Sequence, residues 1–315
     1  MTTLPLVDPE LRALLDAWPT VPVTAEMLGA MRERILPAPP VPDTDTLAER
    51  ATVPGPAGAP EITLSIYRPA KPAGPRGCLY HIHGGGYVVG KAGDLEFFHR
   101  PLAEALDCVI VSVDYRLAPE TPHPGPIEDC YAGLAWLFAN SARLGVDPAR
   151  IGVIGESAGG GLAAALALLA RDRGEYRLAF QHLTYPMLDD RTCIRPPHRH
   201  AGEFIWPPAS NHFGWSALLG HAPGRDDVSP YAAAARATDL ADLPPTYLMT
   251  GALDLFVDEN IDYARRLIAA GVPTEFHLYP GAFHGFDLAP DAAVAQQARA
   301  DRLAALRRAL APARA

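Results

Sequence analysis

The stretch at residues 153–170, VIGESAGGGLAAALALLA, joins a short apolar run to a longer run of helix-forming residues. Ser157 stands between the two runs, with Gly155 two residues before it and Gly159 two residues after it. A strand that turns sharply into a helix presents the side chain at the turn, and its close neighbours must be small to avoid clashes. A tight turn with an incidental serine is the alternative, but the strand–turn–helix context favours a nucleophile at Ser157.

Strand-like and helical runs alternate along the rest of the chain. Apolar runs such as EITLSIYRP, GCLYHIHGG and DCVIVSVDYR are separated by segments with helical periodicity. This alternation predicts an α/β fold, with a mostly parallel sheet and helices on both faces. The first 50 residues are expected to form short helices broken by prolines. Residues 190–228, rich in Pro, His and aromatic residues, interrupt the alternation and are expected to cover the strand ends.

Composition restricts the function classes. The 315 residues carry a formal net charge of -9, which argues against binding to nucleic acid or to anionic membrane surfaces. The chain shows no secretion signal and no apolar run near the ~20 residues that span a bilayer. The four cysteines are scattered and form no CxxC pair. We therefore expect a protein of the cytoplasm with reduced thiols.

A serine nucleophile needs a base and an orienting acid, which follow it in the order acid, histidine in this fold. His284, in the loop YPGAFHGF just after a predicted strand, is the histidine best placed to reach the carboxyl edge of the sheet. Asp254 follows the preceding predicted strand in the same way and is the expected acid. Asp258, at the start of the next helix, is the alternative acid.

A second glycine-rich motif, HGGG at residues 83–86, follows another predicted strand. Unhindered backbone N–H groups in such a loop can converge on a developing oxyanion. A phosphate-binding loop is the rival interpretation, but no G-K-[ST] follows and no GxGxxG is present. His83 is expected to brace the loop by hydrogen bonding.

Five motifs in this order, HGGGY, VDYRLAPE, GESAGGGLA, TGALDLFVDEN and YPGAFHGF, resemble those of the hormone-sensitive-lipase-like esterases, a family of α/β-hydrolases. The resemblance implies that Ser157, Asp254 and His284 are the catalytic triad. It also implies that the N–H groups of Gly85, Gly86 and Ala158 form the oxyanion hole. The family motif commonly has Asp before the serine, where this chain has Glu156. We interpret Glu156 as structural.

The same resemblance implies a cap made of residues 1–50 and 190–228, and a hydrolase core made of residues 51–189 and 229–315. Four aromatic residues of the insertion are candidates for lining the substrate pocket, or alternatively for packing the cap onto the core: Phe204, Trp206, Phe213 and Trp215. Relatives in the family often form dimers through the final strand and helix, so a homodimer is also predicted.

The expected function is that of a serine carboxylesterase acting on small-molecule esters with short- to medium-chain acyl groups. No cofactor is expected, and the pair His198 and His200 lacks partners at metal-ligand spacing. Two alternatives remain. An amidase, arylformamidase or acyltransferase would use the same triad, and a ligand-binding receptor would use the same fold without catalysis, although such receptors lose the histidine that this chain retains.

Overall fold

The computed structural model describes residues 2–33, 40–71 and 73–312. Eight strands form a single sheet in the order β1-β2-β4-β3-β5-β6-β7-β8. The strands are β1 Thr46–Val53, β2 Ile62–Pro69, β3 Arg76–Ile82, β4 Val109–Asp114, β5 Val146–Glu156, β6 Gln181–Thr184, β7 Thr246–Gly251 and β8 Thr274–Tyr279. The pairs β1–β2 and β2–β4 are antiparallel, and all other pairs are parallel. The predicted α/β fold with a mostly parallel sheet is confirmed.

The described residues form nine α-helices, which connect or flank the strands. They are α1 Arg12–Ala17, α2 Leu28–Glu33, α3 Glu96–Leu106, α4 Gly125–Ala139, α5 Ser141–Leu144, α6 Ala158–Arg173, α7 Pro208–Leu219, α8 Val257–Ala269 and α9 Ala293–Ala309. Every residue of α6 from Ala158 to Ala170 is buried. A helix that is apolar all round belongs in the interior, and α6 contacts β3, β5 and β6 there. No helix among the described residues is long and apolar enough to cross a membrane.

The first strand corrects a predicted boundary. Residues 1–50 are assigned above to the cap, but β1 begins at Thr46 and pairs with β2 along its whole length. This strand is at the edge of the sheet, so most of its residues face solvent and it carries charged residues at positions 49 and 50. A polar edge strand lacks the apolar alternation by which strands are recognised. Met1 and residues 34–39, which belong to the same predicted segment, lie outside the described residues.

The N-terminal segment is hydrogen-bonded to the 190–228 insertion. The carboxylate of Glu203 accepts a hydrogen bond from the Thr3 hydroxyl at 2.6 Å. The Thr20 hydroxyl accepts one from the backbone N–H of Ile205 at 2.8 Å. Ser210, on α7, accepts another from the N–H of Val23 at 2.9 Å. These two segments, distant in sequence, are therefore held together in one layer.

Candidate active site

Ser157 occupies the turn between β5 and α6 with a left-handed backbone, φ 57° and ψ -123°. Such a conformation is rare for a residue with a Cβ and persists only where the surroundings hold it. A Cβ on Gly155 would lie 2.3 Å from the carbonyl oxygen of Gly159, and a Cβ on Gly159 would lie 2.0 Å from that of Ile82. Since only glycine fits at both positions, the two glycines permit the turn that presents the serine.

The structure brings Ser157, His284 and Asp254 into one hydrogen-bonded chain. Nε2 of His284 is 2.9 Å from Oγ of Ser157, and Nδ1 is 2.8 Å from Oδ2 of Asp254. The other carboxylate oxygen of Asp254 accepts the N–H of Phe256 at 2.9 Å. Because a carboxylate oxygen accepts, Nδ1 donates to Asp254, and Nε2 faces the serine hydroxyl as the acceptor.

Burial and aromatic contacts hold this chain in place. Asp254 has no exposed surface, and His284 is only 6 % exposed. The His284 ring packs against Tyr185 at a centroid distance of 4.6 Å and edge-on against Phe256 at 5.2 Å. The alternative acid, Asp258, is exposed in the first turn of α8, and Asp254 occupies the bonding position at Nδ1.

The HGGG loop packs directly beside the serine turn. A Cβ on Gly84 would lie 3.4 Å from the Cβ of Ser157. Gly85 and Gly86 have φ values of 111° and 60°, which favour glycine. Within the described part of the chain, the N–H groups of Gly85, Gly86 and Ala158 donate no hydrogen bond. Three free donors on adjacent segments, one of them at the first position of α6, form an arrangement able to bind an anion.

His83 anchors the HGGG loop from inside the protein. Its Nδ1–H donates to the carbonyl of Gly84 at 2.8 Å, and its ring stacks on Tyr115 at 4.3 Å. Burial lowers the pKa of His83 to about 4. The His83 imidazole is therefore neutral near pH 7 and places no positive charge beside the N–H groups of Gly85 and Gly86.

The four aromatic candidates occupy different positions. Trp206 lies against the HGGG loop, since a Cβ on Gly86 would lie 2.1 Å from the indole ring. Phe204 packs against Phe283, the neighbour of His284, at 5.8 Å, and Phe213 is partly buried against the main core. Trp215 is fully buried beside Tyr87. This corrects the inclusion of Trp215 among the pocket residues, because a ring without accessible surface has none to offer a substrate.

Glu156, the residue before the serine, lies in a buried polar cluster. Its carboxylate bonds to Nε2 of His81 at 2.9 Å and to the guanidinium of Arg302 at 3.1 Å. Burial opposes ionisation of Glu156, but His81 and Arg302 outweigh it and lower the pKa of the carboxyl group to about 2. Sequence reasoning missed Arg302, since 146 residues separate it from Glu156 and no local pattern connects them.

The lowered pKa of Glu156 predicts a specific pH dependence of stability. The ion pair stabilises the fold fully above the ordinary carboxyl pKa of 4.5, and this contribution is lost as pH falls towards 2. Glu156→Gln removes the titrating group. The difference in free energy of unfolding between wild type and Glu156→Gln should therefore shrink by about 3 kcal/mol between pH 6 and pH 2.

Urea unfolding of both proteins across this pH range measures that difference, with the exposed Glu104 as a control site. Glu104→Gln is expected to differ from wild type by a small and constant amount. A constant difference for Glu156→Gln as well would show that Glu156 is not held ionised by its neighbours.

No group of three or more His, Cys, Asp or Glu side chains among the described residues is arranged to hold a metal ion. His198 and His200 lie near each other, and the Nδ1 of His198 accepts the backbone N–H of His200 at 3.1 Å. These two histidines are therefore engaged in a local turn.

Comparison with known proteins places these features in context. A family model described as the alpha/beta hydrolase fold matches residues 79–288. The chain is 35% identical to the carboxylesterase NlhH of Mycobacterium tuberculosis over 313 residues, covering 97% of each chain. It is 37% identical to the esterase LipI of the same organism, covering 90% of this chain and 88% of LipI. The structure of a bacterial heroin esterase superposes with a TM-score of 0.89 at 41% identity, covering 99% of this chain and 100% of the other.

Proposed function

The chain belongs to the hormone-sensitive-lipase-like family of α/β-hydrolases and is a carboxylic ester hydrolase, and from this premise we propose that it cleaves short- to medium-chain acyl esters with Ser157, His284 and Asp254 as catalytic triad. The observation that carries the proposal is the continuous hydrogen-bonded chain from Asp254 through His284 to Ser157. Ser157, at the end of this hydrogen-bonded series, has the positive φ that is typical of a nucleophile turn.

In the first half of the reaction, Oγ of Ser157 attacks the ester carbonyl carbon while Nε2 of His284 takes the hydroxyl proton. Asp254 holds the ring in the tautomer that can accept this proton and stabilises the imidazolium that forms. The carbonyl oxygen becomes an oxyanion, which the N–H groups of Gly85, Gly86 and Ala158 bind. Collapse of this intermediate breaks the ester bond, and the leaving alcohol takes the proton from Nε2. An acyl group then remains on Ser157.

In the second half, a water molecule attacks the acyl carbon and gives one proton to Nε2 of His284. The same three N–H groups bind the second oxyanion. When this intermediate collapses, the carboxylic acid leaves and Oγ of Ser157 regains its proton from His284. Besides the water that is consumed, each step uses side-chain and backbone groups of the described site.

We further propose that residues of the N-terminal segment and the 190–228 insertion form the cap over this site, above a core of residues 46–189 and 229–315. The hydrogen bonds that Glu203, Thr20 and Ser210 accept between the two segments support this division. In this cap, Trp206 is the proposed wall of the acyl pocket, because its ring covers Gly86 of the oxyanion loop. Phe204 and Phe213 are further candidates for the wall.

Acyl-chain preference tests the proposed function and the wall together. On 4-nitrophenyl esters from acetate to palmitate, we expect kcat/KM to be highest between acetate and octanoate. Each methylene that fits adds about 0.8 kcal/mol of binding, until the chain meets the wall. Trp206→Ala should move the optimum to longer chains, and Trp206→Phe should move it less. An optimum at palmitate in the wild type, or an unchanged optimum in Trp206→Ala, would contradict this assignment.

The amidase and acyltransferase alternatives use the same acyl-enzyme and are separated by product analysis, whereas the receptor alternative is separated by covalent labelling. An amidase would release 4-nitroaniline from 4-nitroacetanilide in a reaction that Ser157→Ala abolishes, and an acyltransferase would form methyl acetate in preference to acetate when methanol is present. A receptor without catalysis would bind a phosphonate ester without becoming labelled. The bond between His284 and Ser157 favours the catalytic interpretation. A homodimer and a cytoplasmic location stay predictions.

A further inference from the structure

The guanidinium of Arg302 bonds two carboxylates, those of Glu156 and Asp287, which lie on different segments of the candidate active site. Arg302, on α9, donates through Nη2 to Glu156 at 3.1 Å and through Nη1 to Asp287 at 2.8 Å. Glu156 directly precedes Ser157 at the end of β5, and Asp287 comes three residues after His284. The bridge therefore connects the segment that carries the nucleophile with the loop that carries the base.

The arm on the histidine side continues to the imidazole itself. Asp287 accepts the hydroxyl of Tyr185 at 2.7 Å through its second oxygen. The ring of Tyr185 packs against the ring of His284 at 4.6 Å. A displacement of Asp287 would thus shift both the loop of His284 and the aromatic surface on which its ring rests.

The bridge is shielded from solvent. The side chains of Arg302, Asp287 and Glu156 are 8 %, 6 % and 16 % exposed. Charge-assisted hydrogen bonds in a buried setting are short and directional, and water does not compete for them. The planar fork of arginine offers N–H donors in fixed directions to two carboxylates, whereas the ammonium of lysine has no fixed fork geometry. Arg302 therefore bonds both carboxylates in a defined orientation.

We propose that Arg302 is a positioning residue for ester hydrolysis, which holds Glu156 and Asp287 on one guanidinium and so sets the distance between Ser157 and His284. The inference rests on the proposed function, since it assigns meaning to that distance only if these two residues react together. It also gives a reason for Glu156 in place of the family's common Asp: the longer side chain contacts both His81 and Arg302.

The test compares three conservative variants of the bridge with a control variant on α9, the helix that carries Arg302. Asp287→Asn and Glu156→Gln each remove one charge of the bridge, and Arg302→Lys keeps the charge but loses the fork. Asp301→Asn is the control, because Asp301 adjoins Arg302 and accepts the hydroxyl of Tyr279 at 2.8 Å, away from the triad. Each protein is checked by circular dichroism and thermal unfolding, and kcat and KM are measured on 4-nitrophenyl butyrate.

We expect Asp287→Asn and Arg302→Lys to lower kcat about 10- to 100-fold while KM stays within about twofold, because misplacement of reacting groups affects turnover more than substrate binding. Asp301→Asn should keep wild-type kcat. The double variant Glu156→Gln with Asp287→Asn should lose less than the product of the two single losses, because both act through one guanidinium.

Wild-type kcat in folded Asp287→Asn would overturn the proposal, as would an equal loss in Asp301→Asn. If Arg302→Lys does not fold, the two carboxylate variants decide alone. Ser157→Ala, measured alongside, separates the two levels of inference. A loss in Ser157→Ala far smaller than about 10⁶-fold would contradict the proposed function, whereas a loss of that size together with normal Asp287→Asn would contradict only the bridge.

Discussion

Ser157→Ala is expected to abolish ester hydrolysis, with a loss in kcat on the order of 10⁶. Without Oγ there is no atom to form the acyl-enzyme, and His284 has no hydroxyl proton to accept. The fold should be retained, because alanine keeps the Cβ that serine already carries at φ 57°. The remaining rate should be that of direct attack by water on an ester whose carbonyl oxygen is bound by the N–H groups of Gly85, Gly86 and Ala158. This reaction is far slower than attack by Ser157.

Hydrolysis of 4-nitrophenyl butyrate and labelling by a phosphonate ester measure this loss directly. Intact-protein mass should rise by one phosphonyl group in the wild type and stay unchanged in Ser157→Ala. Ser229→Ala serves as control, since the Ser229 hydroxyl accepts the N–H of Tyr231 in a turn. Retained turnover in Ser157→Ala, with a label on another residue, would refute the assignment of the nucleophile.

Asp254→Asn is expected to lower kcat about 10⁴-fold while leaving the structure intact. The amide oxygen of the new side chain would keep the bond that Phe256 now donates to Asp254, so its NH₂ group would face Nδ1 of His284. The ring would then carry its proton on Nε2 and could not accept the proton of Ser157. The loss therefore comes from the wrong tautomer, with little change in packing.

Asp258→Asn is the matched comparison, since Asp258 is only four residues away and exposed in the first turn of α8. Its kcat should stay within about twofold of wild type, because Asp254 and not Asp258 is bonded to Nδ1 of His284, and the loss of a surface carboxylate near a helix N-terminus lowers stability by less than about 1 kcal/mol. Substrate turnover of both variants at pH 8 gives the ranking. A larger loss in Asp258→Asn would make Asp258 the acid.

Several features of this protein follow from local sequence because their causes are local. Crowding around Ser157 excludes any side chain at positions 155 and 159, so glycine at these positions predicts the turn. The apolar runs of β3 and β4 are buried on both faces of the sheet, which makes them recognisable as interior strands. By contrast, the polar edge strand β1 has no continuous apolar run, so the sequence did not predict it.

The order of the motifs along the chain was sufficient to propose that Ser157, Asp254 and His284 meet. The distances between these side chains, however, depend on the folded sheet. Asp254 and His284 both leave parallel strands at the carboxyl edge, and the topology of the sheet brings them to Ser157. The position of Asp254 just after a predicted strand favoured it as the acid, with Asp258 left as the alternative. The structure distinguishes them by burial, since Asp254 has no exposed surface and Asp258 is exposed.

The sequence by itself therefore determined the α/β fold and the serine turn, since each depends on short-range sterics or on a run of apolar residues, and the resemblance of five motifs indicated the family. Only the tertiary structure decided that Trp215 is in the core, that Trp206 covers Gly86 and that Arg302 joins Glu156 to Asp287. Contacts between residues far apart in the chain leave no periodic trace in the sequence. Such contacts form only when the sheet and its helices bring the residues together. Once a charged or polar side chain is buried there, it needs a hydrogen-bonding partner to offset the loss of water.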